Sequence, residues 1–207
     1  MKKSLLSFAL LGLLLSLSSF LGLLTPAGYQ VGDSAMDFKL KNVDGKMVSL
    51  ADNKAAKGYI VVFTCNTCPY AKAYEQRIVA LHQKYAPQGY PVVAINPNDP
   101  QIVPGDSFAE MQKQAKEKKY GFPYLLDETQ EVARTYGATK TPHVYIITRS
   151  GADFKVAYIG AIDNNTEDGT AATSKYVETA MSELMAGKPA STSSTKAVGC
   201  GIKWKKA

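Results

Sequence analysis

Residues 59–64, Tyr-Ile-Val-Val-Phe-Thr, form a short unbroken run of β-branched and aromatic residues that leads straight into Cys65-Asn66-Thr67-Cys68-Pro69. A run of this length without polar alternation reads as a strand buried on both faces of a sheet. From Pro69 onward Ala73, Ile78, Leu81 and Tyr85 recur at helical spacing until Pro87 and Gly89 end the pattern. Pro69 has no N–H to lose in a first helical turn and its φ is already near the helical value, so a helix can begin there. A buried strand, a four-residue turn and a long helix in immediate succession confine the chain to the α/β class.

The rest of the sequence extends that alternation. Residues 38–43 and 47–50 alternate apolar and polar about Asp44-Gly45, which predicts a β-hairpin. A second buried strand is predicted over 91–96, followed by a loop rich in breakers from Asn96 to Gly105. Ser107 with Glu110 has the capping-box pattern for a helix over 108–119. A brief strand over 124–127, a short helix over 130–136 ended by Gly137, a strand pair over 144–148 and 156–160, and a helix over 174–185 complete the order. This order predicts a three-layer α/β sandwich with flanking helices about a central mixed sheet, mostly parallel, with the closing strand pair as an antiparallel edge and the hairpin as an N-terminal extension.

Met1-Lys2-Lys3 precedes a leucine-rich stretch over 5–15, the layout of an export leader, so 1–27 reads as a signal peptide or an N-terminal membrane anchor. The apolar run from Ser4 to Leu24 approaches the ~20 residues that span a bilayer, and both readings fit it. The domain is assigned to 28–189, one domain of ordinary size, and 190–207 to a polar linker and basic tail. Without Lys2 and Lys3 the formal charge falls from +6 to +4, and the lysines are scattered without interleaved aromatics. That excludes a nucleic-acid surface as the main reading and leaves solvated helix faces. Lys72, Glu75, Arg77 and His82 are assigned to such a face.

Cysteine is sparse: Cys65, Cys68 and Cys200. In an exported chain a structural framework calls for an even set spread over loops, so the close pair reads as a redox motif. Two intervening residues at a helix N-terminus turn the second sulfur toward the first, and the helix dipole with its unpaired N–H groups favours the thiolate there. Cys65 is therefore expected to have a lowered pKa and to attack, and Cys68 to resolve the mixed disulfide. Half of a zinc site and a purely structural disulfide are the competing readings. Zinc would need two more ligands, and His82, His143 and Cys200 have no paired spacing. No metal is expected, and no cofactor beyond a redox-active Cys65–Cys68 disulfide.

Thr141-Pro142 opens a strand inside an α/β sheet, where a cis bond gives proline a place. His143 follows; a positive charge on it beside Cys65 would lower the thiol pKa, against the plain reading of a residue that starts a strand. Cys200 is either a third redox thiol relaying to the pair or a packed tail cysteine with Trp204 as anchor.

These residues resemble the thioredoxin superfamily, in particular the extracytoplasmic redoxin branch related to TlpA-like oxidoreductases and to the AhpC/TSA group. The resemblance spans Gly32 to about Gly187 and rests on Phe63-Thr64-Cys65-Asn66-Thr67-Cys68-Pro69-Tyr70 and on Thr141-Pro142; Gly199-Cys200-Gly201-Ile202-Lys203-Trp204-Lys205 resembles a tail of some members. It implies that Thr141 presents backbone groups to an extended substrate segment beside Cys65, and that cis Pro142 blocks misplaced metal or strand pairing. Two departures stand out. Lys140 occupies the place where members of the branch often carry a further Cys, and Val62 stands where peroxidatic members have a Thr three residues before the attacking Cys. The resemblance implies a periplasmic or secreted thiol-disulfide oxidoreductase that exchanges electrons with exported protein thiols, fed by a membrane or periplasmic donor. A thiol peroxidase and a non-enzymatic binding module are the alternatives.

Overall fold

The structure, a computed structural model, describes residues 28–206; the expected leader lies outside them. In chain order the elements are β1 (Ser34–Ala35), β2 (Lys39–Asn42), β3 (Met47–Ser49), β4 (Gly58–Phe63), α1 (Pro69–Tyr85), β5 (Val92–Asn96), α2 (Phe108–Glu117), β6 (Tyr124–Leu126), α3 (Glu131–Tyr136), β7 (Lys140–Thr141), β8 (His143–Ser150), β9 (Asp153–Gly160), α4 (Tyr176–Met185) and β10 (Cys200–Gly201). One sheet has the order β1-β9-β8-β4-β5-β6-β2-β3, and β10 pairs separately with β7. Among the described residues no helix is long and apolar enough to cross a membrane.

The sheet is mixed, as expected, with its parallel pairs confined to the centre. Only β4–β5 and β5–β6 run parallel; β8, β9 and β1 on one side and the hairpin β2–β3 on the other are antiparallel. Parallel pairing requires a crossover, and α1 and the segment carrying α2 supply the two crossovers, whereas tight turns at 151 and 45 force antiparallel neighbours.

β4 lies at the centre, between β8 and β5, with every residue buried. Its side chains alternate between two apolar layers. Ile60 and Val62 face Tyr74, Ile78, Leu81 and Tyr85 of α1 and Val177 and Met181 of α4, while Val61 and Phe63 face Tyr136 of α3 and Tyr145. Each such side chain contributes on the order of 1.5–3 kcal/mol by leaving water. This burial fixes where β4 ends, and hence where the cysteines stand.

Three expectations are corrected. Ser107 holds N-cap geometry at α2, but its side chain makes no capping bond, so the capping box does not form. The α1 residues assigned to a solvated face are only partly so: Lys72 is exposed, whereas Glu75 is buried, with Lys118 at 2.9 Å and Gln114 at 3.2 Å. Arg77 is half-buried and binds both carboxylate oxygens of Asp163 at 2.9 and 2.7 Å, and His82 accepts from the Val92 N–H at 3.2 Å. An i, i+3, i+4 apolar stripe on a helix does not exclude charged neighbours from the boundary of the same buried face.

The third correction concerns residues 190–207, expected as a linker and tail. The described part is a strap packed on the domain. Thr195 N–H donates to Ile159 O at 2.9 Å, Ile159 N–H donates to Ser193 O at 3.0 Å, and the Thr195 hydroxyl meets Tyr158 Oη at 2.7 Å and the Ala161 N–H at 3.0 Å. A Cβ on Gly160, whose φ is +152°, would run into Thr195, so only glycine allows the strap so close. Farther on, Ile202 is buried with the Tyr136 layer, and the Arg134 guanidinium lies 4.4 Å over the Trp204 ring.

Candidate active site

β4 ends at Phe63 and α1 starts at Pro69, with Cys68 in the N-cap position. The turn between them is held by Asp106, a fully buried carboxylate. It accepts from the backbone N–H of Asn66 at 2.8 Å and of Thr67 at 3.2 Å, from the Thr67 hydroxyl at 3.0 Å and from the Asn98 amide at 2.7 Å. Asn66 is fixed from both ends of its amide, donating to Gly105 O at 2.9 Å and accepting from the Tyr124 hydroxyl at 2.8 Å. A buried carboxylate with four donors is stable where an unpaired one would not be.

Thr141 gathers the sulfurs. Its Oγ1 lies 3.2 Å from Cys65 Sγ and its carbonyl oxygen 3.2 Å from Cys68 Sγ, while its backbone is paired antiparallel with Cys200. The Thr141-Pro142 bond is cis. Cys65, Cys68, Ala71 and Cys200 form one apolar cluster.

The disulfide in this cluster joins Cys68 to Cys200, and Cys65 is a free, buried thiol. The structure therefore departs from the expected Cys65–Cys68 pairing. The physical reason is the strap: β10 lies along β7 in a register that sets Cys200 opposite Thr141, within reach of Cys68.

The expected lowering of the Cys65 pKa is also corrected. Burial pushes the thiol up, and the negative charge of Asp106 adds to it; the Thr141 hydroxyl and the N–H groups of Cys68 and Thr67 pull the other way and are outweighed. No cation figures among these influences. His143 cannot supply one, because burial holds its pKa down at about 4 and keeps it neutral near pH 7. Its Nδ1 accepts from the Thr139 N–H at 3.4 Å and its ring packs on Tyr145. On the inner side of Cys65, a space of about 10 Å³ bounded by Thr64, Glu75, Tyr120 and Tyr124 has room for no more than one water.

Of the residues singled out in the sequence, the fold brings together Cys65, Cys68, Thr141, Pro142 and Cys200, and places His143 on the strand that follows. Sequence reasoning missed Asp106, Asn98, Tyr124 and Gln130. Asn98 links the turn to the strap, giving an amide N–H to Asp106 and accepting from the Lys203 N–H at 2.9 Å. Gln130 donates to Lys203 O at 2.9 Å and accepts from the Lys205 N–H at 2.8 Å. The one available signal was the density of Asn and Asp in the breaker-rich loop after β5.

Comparison with known proteins adds to this geometry. The AhpC/TSA family model matches residues 31–157. The chain belongs to the AhpC/TSA family. It is thus a redoxin of the thioredoxin superfamily, an enzyme of thiol redox chemistry. The thiol-disulfide oxidoreductase ResA of Bacillus cereus is 26% identical over 158 residues, which cover 73% of this chain and 86% of that one. A crystal structure of an uncharacterized conserved protein from Geobacillus kaustophilus shares 39% identity and superposes with a TM-score of 0.79, covering 86% of this chain and 94% of its own. A thioredoxin-family thiol:disulfide interchange protein from Chlorobium tepidum, 22% identical with a TM-score of 0.53, covers 68% of this chain and 93% of its own and shares the fold.

Proposed function

We propose that this redoxin is a thiol-disulfide oxidoreductase in which Cys65 attacks and Cys68 resolves, acting on the thiols and disulfides of exported proteins. The observation that carries the reading is the meeting of a free thiol and two further cysteines around Thr141, at a strand–helix junction held by a buried carboxylate. The ResA similarity supports the reaction class. The leader-like N-terminus supports a place outside the cytoplasm, with or without membrane attachment, and an electron donor in the periplasm or membrane.

In the reaction, a dithiol donor first reduces the Cys68–Cys200 disulfide to two thiols and is itself oxidised by two electrons; the Cys65 thiolate then attacks one sulfur of a client disulfide, forming a mixed disulfide and expelling a client thiolate. Cys68 then attacks Cys65 Sγ, a Cys65–Cys68 bond forms, and the second client thiolate leaves. The client is reduced by two electrons and the dithiol is oxidised by two; the reverse sequence oxidises a client dithiol. Thr141 and Pro142 form the face along which an extended client segment lies. The Thr141 hydroxyl stabilises the attacking sulfur.

Insulin reduction with dithiothreitol as donor tests this. Wild type is expected to accelerate precipitation of the insulin B chain, and Cys65→Ala and Cys68→Ala to lose the acceleration by at least about 100-fold, the scale on which removal of a covalent nucleophile acts. Full activity in either variant contradicts the assigned roles. Rapid peroxide consumption with little insulin reduction would instead favour a peroxidase.

A further inference from the structure

We infer that Cys200 is a third redox thiol: it exchanges with Cys65 for the bond to Cys68, and the strap that carries it covers the client face while bonded. The inference rests on the oxidoreductase reading of Cys65 and Cys68.

Four observations carry it. The bond present in the structure uses Cys68, a member of the close pair, and leaves Cys65 as a thiol in the same cluster. A free thiol packed beside a disulfide is the arrangement from which exchange proceeds. Second, β10 pairs with Lys140 and Thr141 in antiparallel register, so the chain's own strap takes the backbone positions that an extended client would use. Third, Gly199 lies so close to Thr141 that a Cβ there would collide with its carbonyl carbon and oxygen. Fourth, the strap is anchored on both sides of Cys200, by Thr195 on β9 and by Lys203 and Lys205 on Asn98 and Gln130. Once released, Cys200 therefore stays near the pair at high effective concentration, and its return is intramolecular.

The step balances without an outside oxidant. Cys65 loses its proton and its thiolate attacks Cys68 Sγ. The Cys65–Cys68 bond forms as the Cys68–Cys200 bond breaks, and Cys200 leaves as a thiolate that takes up a proton. One disulfide and one thiol are present before and after. Because burial holds the Cys65 proton on, the rate should rise about tenfold per pH unit until the thiol titrates. Cys200 is half-buried whereas Cys65 and Cys68 are buried, so exchange also moves the free thiol to the most exposed of the three cysteines.

The test is linkage mapping on the full chain. Oxidised protein is held at pH 7, 8 and 9 without reductant, alkylated with N-ethylmaleimide over a time series and digested for mass spectrometry. Two species are expected: Cys68–Cys200 linked with Cys65 alkylated, and Cys65–Cys68 linked with Cys200 alkylated, interconverting faster at higher pH. Gly199→Ala, which keeps all three cysteines but pushes the strap off Thr141, should raise the share of the second species severalfold. A Cys68–Cys200 link that stays unchanged at every pH and during insulin turnover would make it a staple and overturn the inference. So would Cys200 alkylated in every molecule at the first time point. Insulin reduction by the same preparation and by Cys68→Ala separates the two failures: Cys200 alkylated throughout, with activity that is lost in Cys68→Ala, removes the inference alone, whereas inactivity, or activity beside a Cys68–Cys200 link that never opens, removes the reading beneath it as well.

Discussion

The turn at 65–68 and the strap at 190–206 meet at Thr141, yet they are held there in different ways. The turn is set by its flanks, with β4 buried on both faces before it and the Pro69 start of α1 after it, and Asp106 only locks what these neighbours prescribe. The strap has no regular element longer than two residues. Most of the contacts that place it come from far along the chain, among them Tyr158, Ile159, Asn98, Gln130 and Cys68, and a near one is Glu183, which accepts from the Ser191 N–H at 2.8 Å. One region is positioned locally and trimmed by tertiary contacts. The other is positioned chiefly by tertiary contacts.

If this contrast holds, the residue joining both regions should matter most. Asp106→Ala leaves two backbone N–H groups, the Thr67 hydroxyl and the Asn98 amide without their acceptor, and Asn98 also holds Lys203. A loss of about 3 kcal/mol or more is expected in urea unfolding, since stranded buried donors cost about 1–3 kcal/mol each and partial relaxation recovers some of it. Asp106→Asn should recover part of the loss. A change below about 1 kcal/mol for the alanine variant would mean that the turn is set by its flanks without help.

The pH dependence of stability sharpens the comparison next, because His143 follows the Thr141-Pro142 corner that both regions share. Its folded pKa of about 4 lies below the ordinary 6.5, so the unfolded chain binds more protons between those values. Stability is therefore expected to rise with pH from about 4 to 6.5, by up to about 3 kcal/mol, and to be lost on acidification through the same window. Comparison of wild type with His143→Gln by thermal unfolding at pH 4.5 and 7 isolates this contribution; equal pH dependence in the two proteins would refute it.

The smallest effect belongs to a single anchor of the strap. Thr195→Val removes a hydroxyl bonded to Tyr158 and to the Ala161 N–H. A cost of about 1–2 kcal/mol is expected, together with faster amide hydrogen exchange confined to 193–206. Exchange that rises across the whole sheet instead would show that the strap is not an independently placed unit.

The same contrast explains what could be read from the sequence. The β4 run, the helix after Pro69, the hairpin about Asp44-Gly45 and the Thr141-Pro142 corner are local patterns of periodicity or backbone restriction, and each appears in the structure. The strap is not legible in the sequence because 190–195 is small and polar, without apolar periodicity, and resembles a linker when its distant partners are unknown. Gly160 and Gly199, the two glycines that admit it, carry no local sign of their purpose. Asp106 and Asn98 sat in a loop whose breakers announced only irregular backbone. The Cys65 pKa went the other way from expectation because a sequence shows the helix terminus but not the burial that overrides it.

The claim at the centre of this account is that Cys65 is the sulfur that meets the client. The direct measurement is to incubate Cys68→Ser, which cannot resolve a mixed disulfide, with oxidised insulin, quench in acid and map the client-linked peptide. The account predicts insulin linked through Cys65, with no such link in the Cys65→Ser, Cys68→Ser double variant. Insulin found on Cys200 instead, or captured equally by the double variant, would contradict it.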